Sequence, residues 1–307
     1  MLLHVLHETR YDYVPPVKTA QHMAHLKPAD TVHQRLISHE LEISPSPAKQ
    51  HEAVDVYGNT RAFFSLATQH DRLVVRARSR VETRAAGQPH SSPAWEDVRE
   101  QLSYHRGAAY DRAAEFVFAS PYVPRHSDFI AYARASFIAD RPLLDAARDL
   151  MRRIHSEFEY QAEATDVSTP ALEAMRLRKG VCQDFAHVML ACLRSMRLPA
   201  RYVSGYLLTE PPPGMSPLVG SDASHAWVSV YVPGEAGAPG EWVDLDPTNN
   251  RTPGEDYVTL AIGRDYSDVS PVRGVLHGGA RHQLRVAVTV SPLGRDSTAD
   301  VAASTIG

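Results

Sequence analysis

Arg178-Lys179-Gly180-Val181-Cys182-Gln183-Asp184-Phe185-Ala186-His187 is a glycine-ended turn that runs directly into an apolar-periodic segment. Phe185, Met189, Cys192, Leu193 and Met196 recur at helical spacing. The stretch therefore predicts an amphipathic helix that begins at Cys182 and ends near Arg197, where Pro199 prevents continuation. A cysteine in a first helical turn meets unpaired backbone N–H groups and the positive end of the helix dipole, which favour a thiolate. Gly180 lets the chain turn sharply just before it. Cys192 lies mid-helix on the apolar face and reads as an ordinary core thiol.

The chain has two cysteines, ten positions apart. On one helix that spacing is roughly 15 Å, and a disulfide needs Cα atoms within about 7 Å. Both read as free thiols, which fits a reducing compartment and a cytoplasmic location.

A nucleophilic thiol needs a base. Histidines 126, 155, 187, 225, 277 and 282 are the ones near enough in sequence to consider. His187 sits about 140° around the helix from Cys182, so it faces elsewhere and reads as a surface or core-edge residue. His277 and His282 bracket Gly278-Gly279 and read as surface residues.

His225 has a partner that alternation identifies. Ser224-His225-Ala226-Trp227-Val228 and Trp242-Val243-Asp244-Leu245-Asp246-Pro247-Thr248 read as two arms of a hairpin, His225 to Val232 and Glu241 to Asp246. If Val228, Val230, Val232, Val243 and Leu245 share the core face, then His225, Trp227, Ser229, Trp242, Asp244 and Asp246 share the other. A turn centred near residues 236 and 237 makes His225 and Asp246 diagonal neighbours, about 7–8 Å apart at Cα, within reach of imidazole and carboxylate. Asp244 is the rival acid, two residues along on the same face.

The remaining chain divides around this core. Residues 1–86 read as β-rich: His33 to Ser44 alternates partly, and Arg72 to Val81 carries arginines 76, 78 and 80 on one face. Residues 87–141 read as a polar linker and a helical segment broken by Pro121 and Pro124. The core spans 142–290, with helices over Pro142 to Phe158 and Pro170 to Leu177, the latter capped by Ser168 or Thr169. Strands follow over Arg201 to Leu208, the hairpin, and Gln283 to Val290. The loop 209–224 leads into His225 and is a candidate lid, and the tail 291–307 reads as disordered. Helix followed by antiparallel strands predicts an α+β fold.

Composition narrows the function. Apolar residues make 43% and charged residues 22%, as in globular domains. A net charge of −4 gives no basic footprint for nucleic acid, and no apolar run is long enough to cross a bilayer. The start of the chain lacks the charged and uninterrupted apolar regions of a signal peptide. Neither C-x-x-C nor H-E-x-x-H occurs, so no metal site and no cofactor is expected.

Taken together, Gly180-Val-Cys182-Gln-Asp-Phe-Ala-His, Ser224-His225-Ala-Trp-Val and Trp242-Val-Asp-Leu-Asp246-Pro-Thr resemble the three blocks of the transglutaminase-like superfamily. The first eighty or so residues, with Asp55-Val-Tyr-Gly58-Asn59, are similar to the N-terminal region of its bacterial members, and Ile262 to Pro271 to their C-terminal block. The resemblance implies a papain-like core, a Cys-bearing helix packed on an antiparallel sheet, with Cys182 as nucleophile and His225 as base. It selects Asp246 over Asp244 as the orienting acid, because the family acid directly precedes Pro-Thr. No tryptophan precedes Cys182 within the core to serve as the oxyanion donor of the animal enzymes. That role falls to the Cys182 backbone N–H with Tyr160 or Gln183. The implied activity is cysteine protease, amidase or acyltransferase chemistry on a protein, peptide or small amide. The alternative is an inactive binding or scaffold module that keeps the fold. Homo-oligomer formation is left open.

Overall fold

β1 (Leu2–Ala24) organises the N-terminal half of the computed structural model, which describes residues 1–87, 91–104, 106, 110–209, 224–234, 238–279 and 281–293. Strands β2 (Gln34–Ser44), β3 (Lys49–Val54), β4 (Thr60–Leu66) and β5 (His70–Thr83) follow, in the sheet order β2-β5-β1-β4-β3. β1 is interrupted near Val14-Pro15-Pro16, where the ladder to β5 skips from Asp12 to Val17. Proline has no N–H to give a ladder, so the strand changes partners there. The first half of β1 pairs with β5, and the second half with β4. Arg76, on the polar side of β5, pairs with Glu8 and Glu42.

The helical part comprises α1 (Trp95–Gln101), a 3-10 turn (Arg112–Val117), α2 (Ser127–Arg134), α3 (Leu143–Glu157), α4 (Ala171–Leu177) and α5 (Cys182–Ser195). Two short strands, β6 (Glu159–Tyr160) and β7 (Lys179–Gly180), pair in parallel just before α5. A second sheet holds β8 (Ala200–Leu207), β9 (Ser224–Val232), β10 (Glu241–Leu245) and β11 (Tyr257–Gly263), in the order β10-β9-β8-β11. The chain ends with α6 (Tyr266–Val269), β12 (Val272–Gly278) and β13 (Arg281–Pro292).

α5 is buried on every side, not along one stripe. Phe185, Val188, Met189, Leu190, Cys192 and Leu193 join one core with α3, α4 and the inward valines of the hairpin. Its polar side chains Asp184, His187 and Arg194 are buried as well, each with a hydrogen-bond partner of its own. The hairpin has the expected faces: Val228, Val230, Val232, Val243 and Leu245 are in that core. The opposite face is not wet. Trp227, Ser229 and Tyr231 are buried, with Trp227 packed against Val203 and Tyr257.

Two sequence expectations are corrected. The Gln283–Val290 strand was expected in the 142–290 core, but β12 and β13 pair antiparallel with β1 in the N-terminal sheet. Alternation of Leu284, Val286, Val288 and Val290 marks a strand without saying which sheet receives it. α4 is capped by Pro170, with no side-chain cap. Ser168 and Thr169 instead close a turn on Asp166. Most of the candidate lid (residues 210–223) and of the expected disordered tail (residues 294–307) lies outside the described residues.

The two halves are stitched along β11. Gln34 accepts from Thr259 N–H (2.7 Å) and donates to the Thr259 carbonyl (2.7 Å). Asn59 does the same at Ile262, at 2.8 and 2.7 Å. Side-chain amides thus occupy an edge that another strand would otherwise take. Leu3, Val5, Val81 and Val288 pack with Tyr206, Val258 and Leu260 across the same seam.

Candidate active site

Cys182 is the first residue of α5 and is partly exposed, whereas Cys192 is fully buried. The turn ahead of it is held by Asp184. Its Oδ2 accepts from Val181 N–H (2.8 Å) and from the Thr165 hydroxyl (2.7 Å), tying the helix start to the preceding loop. A Cβ at Gly180 would meet Asp184 Cβ and Cγ at 2.8 Å, so this close approach requires glycine.

His225 enters on β9 and Asp246 follows β10. Val243 pairs with Val230 and Leu245 with Val228, which makes His225 and Asp246 diagonal neighbours. His225 Nε2 meets Asp246 Oδ2 at 2.7 Å, and the carboxylate is 0% exposed. With Nε2–H donating to Asp246, the ring's Nδ1 is free to accept a thiol proton. The Cys182 thiol neighbours the same imidazole and favours its charged form. Thus the structure brings Cys182, His225 and Asp246 together.

Burial opposes charging of His225. The Asp246 hydrogen bond and the neighbouring Cys182 outweigh it, and the ring is pushed up to about 10. Burial likewise opposes charging of Asp246, yet hydrogen bonds from His225, Tyr257 and Asn249 hold it below the usual carboxylate range. Oδ2 accepts from the Tyr257 hydroxyl and from Asn249 Nδ2, both at 2.7 Å. Oδ1 accepts the backbone N–H groups of Thr248 (2.8 Å) and Asn249 (3.2 Å). The Tyr257 oxygen in turn accepts from Arg251 Nε at 3.1 Å. Trp227 and Tyr257 set their rings 6.2 and 6.0 Å from the imidazole.

Tyr257, Asn249 and Arg251 were not found from sequence. The run Asp246-Pro247-Thr248-Asn249 carries a signal for one of them, because an Asx-type turn returns the next residues to the carboxylate.

The other candidates fall elsewhere. Asp244 sits beside Ser229, Arg201 and Trp227, and burial raises it. His187 is buried, not at the surface or core edge: its Nε2 accepts from Tyr266 N–H (3.2 Å) and its ring stacks on Tyr122. Its covering residues lie on distant segments, so helical spacing alone did not place them. His155 binds the Thr248 carbonyl (2.9 Å), and His126 accepts from Asp128 N–H at the start of α2. His277 and His282 belong to β12 and β13. Tyr160 is 57% exposed, and its phenol is raised by burial and then by the neighbouring Cys182. Gln183 Nε2 donates to the Val167 carbonyl at 3.1 Å. Among the described residues no cluster of His, Cys, Asp and Glu could hold a metal, and no helix is long and apolar enough to cross a membrane.

A thiol at the start of a central helix, facing an imidazole and a buried carboxylate on an antiparallel sheet, is the arrangement of a transglutaminase-like fold with a β-rich N-terminal region. Family comparison agrees over both halves. The bacterial transglutaminase-like N-terminal region matches residues 3–82, and the transglutaminase-like superfamily matches residues 130–247. The chain belongs to the transglutaminase-like superfamily. It is 38% identical to an uncharacterized protein of Mycobacterium tuberculosis over 95% of this chain and 93% of that one. An uncharacterized Mycobacterium leprae protein is 31% identical over 95% of this chain and 99% of that one. Among solved structures, "a Putative Cysteine Protease from Cytophaga hutchinsonii" shares the fold with a TM-score of 0.69 at 19% identity, covering 96% of this chain and 92% of that one.

Proposed function

We propose that the protein is a thiol-dependent enzyme that opens amide or peptide bonds through an acyl-enzyme on Cys182. One observation carries this reading: a single imidazole, His225, bonds the buried Asp246 carboxylate and has the Cys182 thiol as a neighbour that favours its charged form. His225 takes the thiol proton on the ring nitrogen that does not face Asp246, and the sulfur attacks the carbonyl carbon. The tetrahedral oxyanion collapses as His225 returns the proton to the departing amine, leaving a thioester. Water then gives hydrolysis, and a second amine gives transamidation. Asp246 fixes the ring tautomer and stabilises the imidazolium.

The Cys182 backbone N–H and the Tyr160 hydroxyl are the oxyanion donors in this reading. Tyr160 is favoured over Gln183 because its raised phenol stays a donor, while Gln183 already gives an N–H to Val167.

The test is to trap the intermediate. Wild-type protein is mixed with a panel of glutamine-donor peptides, other peptides and small amides, quenched in acid and digested for mass spectrometry. The expected result is an acyl adduct on Cys182 that hydroxylamine removes, absent from Cys182→Ala. Turnover that survives Cys182→Ala would overturn the proposal.

A further inference from the structure

A cavity of about 420 Å³ opens at the far end of α5 from Cys182. α5 has 14 residues, so the two places lie about 20 Å apart. Trp95 and Arg99 of α1, Arg134 of α2, Phe137, and Met196 and Arg197 just past α5 form most of its wall. Cavities of this size take small ligands. The floor is apolar. Trp95, Phe137 and Met196 are buried, and the Trp95 and Phe137 rings meet edge to face at 5.8 Å. Trp95 Nε1 donates to the Ile138 carbonyl at 2.9 Å, which fixes the indole.

The rim is basic. Arg99, Arg134 and Arg197 line the cavity with no aspartate or glutamate among the described walls, in a chain with 36 acidic and 32 basic side chains. Among the described residues none of these three guanidiniums forms an ion pair, whereas Arg152, Arg153 and Arg176 on α3 and α4 each hold a carboxylate. Arg99 is instead held over the Trp95 ring, 4.8 Å from its centre. Arg197 takes the left-handed conformation (φ 64°) just past α5, where Leu198 N–H closes on the Leu193 carbonyl at 3.0 Å. Glycine or asparagine ordinarily fills that position, because a larger side chain strains the backbone there. Residues held in strained backbone cluster at ligand clamps.

Three positive charges without carboxylate partners, set around an apolar floor, suit one kind of occupant. A guanidinium fork matches a carboxylate, and the aromatic and thioether walls take a hydrocarbon body. A compact anion such as phosphate would leave that floor uncovered. The carbonyl ends of α2 and α5 oppose an anion with about half a charge each, less than the three guanidiniums supply. We propose that this cavity binds a small carboxylic acid with an apolar body. Its carboxylate meets Arg134 and Arg197, and its body lies against Trp95, Phe137 and Met196. The site is separate from Cys182 and stands whether or not that thiol is a nucleophile.

The three tryptophans make the test direct. Protein carrying ¹⁵N-tryptophan is titrated with 3-phenylpropionate, and the Trp95 indole N–H resonance is identified by its loss in Trp95→Phe. That resonance is expected to move saturably, while those of Trp227 and Trp242 in the core sheet stay in place. 3-Phenylpropylamine has the opposite charge and acetate has no apolar body. Each should bind at least about ten-fold more weakly. Arg134→Gln with Arg197→Gln should weaken 3-phenylpropionate at least about ten-fold, with the Trp227 and Trp242 resonances reporting an intact fold. Cys182→Ala should bind as wild type does. No Trp95 shift up to the solubility limit of 3-phenylpropionate would overturn the proposal. So would equal binding of the amine or of acetate, unchanged binding in the double arginine variant, or loss of the shift in Cys182→Ala.

Discussion

Tyr257 gives its hydroxyl to Asp246 Oδ2 at 2.7 Å, the same oxygen that His225 Nε2 meets at 2.7 Å. The acid that orients the imidazole is therefore itself oriented by a residue on β11, two strands beyond β9 in the sheet order. Tyr257→Phe removes this donor while keeping the ring against Trp227. In the acyl-enzyme reading kcat falls about ten-fold, a cost of about 1.4 kcal/mol, with KM little changed. Steady-state kinetics on any substrate found by acyl trapping checks this. A change confined to KM would assign Tyr257 to substrate binding.

Asp246→Asn tests the charge coupling through pH. A base raised in the folded state, as His225 is to about 10, stabilises the fold fully below its unfolded value. That contribution is lost as pH climbs toward the folded value. A lowered acid, as Asp246 is, contributes above its unfolded value and loses that contribution in acid. The stability advantage of wild type over Asp246→Asn should therefore be widest at about pH 5–6.5 and shrink toward about pH 10. Urea midpoints across that range measure it. An advantage that grows with rising pH contradicts the coupling.

The helix start gives a third prediction. Asp184→Ala leaves Val181 N–H and the Thr165 hydroxyl without their shared acceptor. Loss of such a cap costs about 1–2 kcal/mol. Gly180→Ala drives a methyl group into Asp184 and destabilises through the same contact. Because both act on one site, the double variant should cost less than the sum of the singles. Additive losses in urea unfolding would show that the two positions act separately.

Much of the site was legible because it rests on local geometry. The period-2 alternation of β9 and β10 set His225 diagonal to Asp246, and that relation needs only one hairpin. Tyr257 was not legible. It reaches Asp246 across β8 and β9, through a β11–β8 register that shifts between Thr259 and Ala261. The same limit hid the destination of β13, whose alternation fits either sheet, and the depth of His187, which residues from distant segments cover. Patterns along one or two neighbouring strands carry register. They do not carry which remote surface closes over it.

The central claim is that His225 activates Cys182, and alkylation at pH 6 tests it most directly. Cys192 is an internal reference, since full burial pushes its thiol up and shields it from reagent. Iodoacetamide should label Cys182 at least about 100-fold faster than Cys192, because the thiolate is the reactive form. His225→Gln should remove most of that excess. Burial alone already slows Cys192, so the second comparison decides. A Cys182 labelling rate unchanged by His225→Gln, or equal and slow at both thiols, contradicts the account.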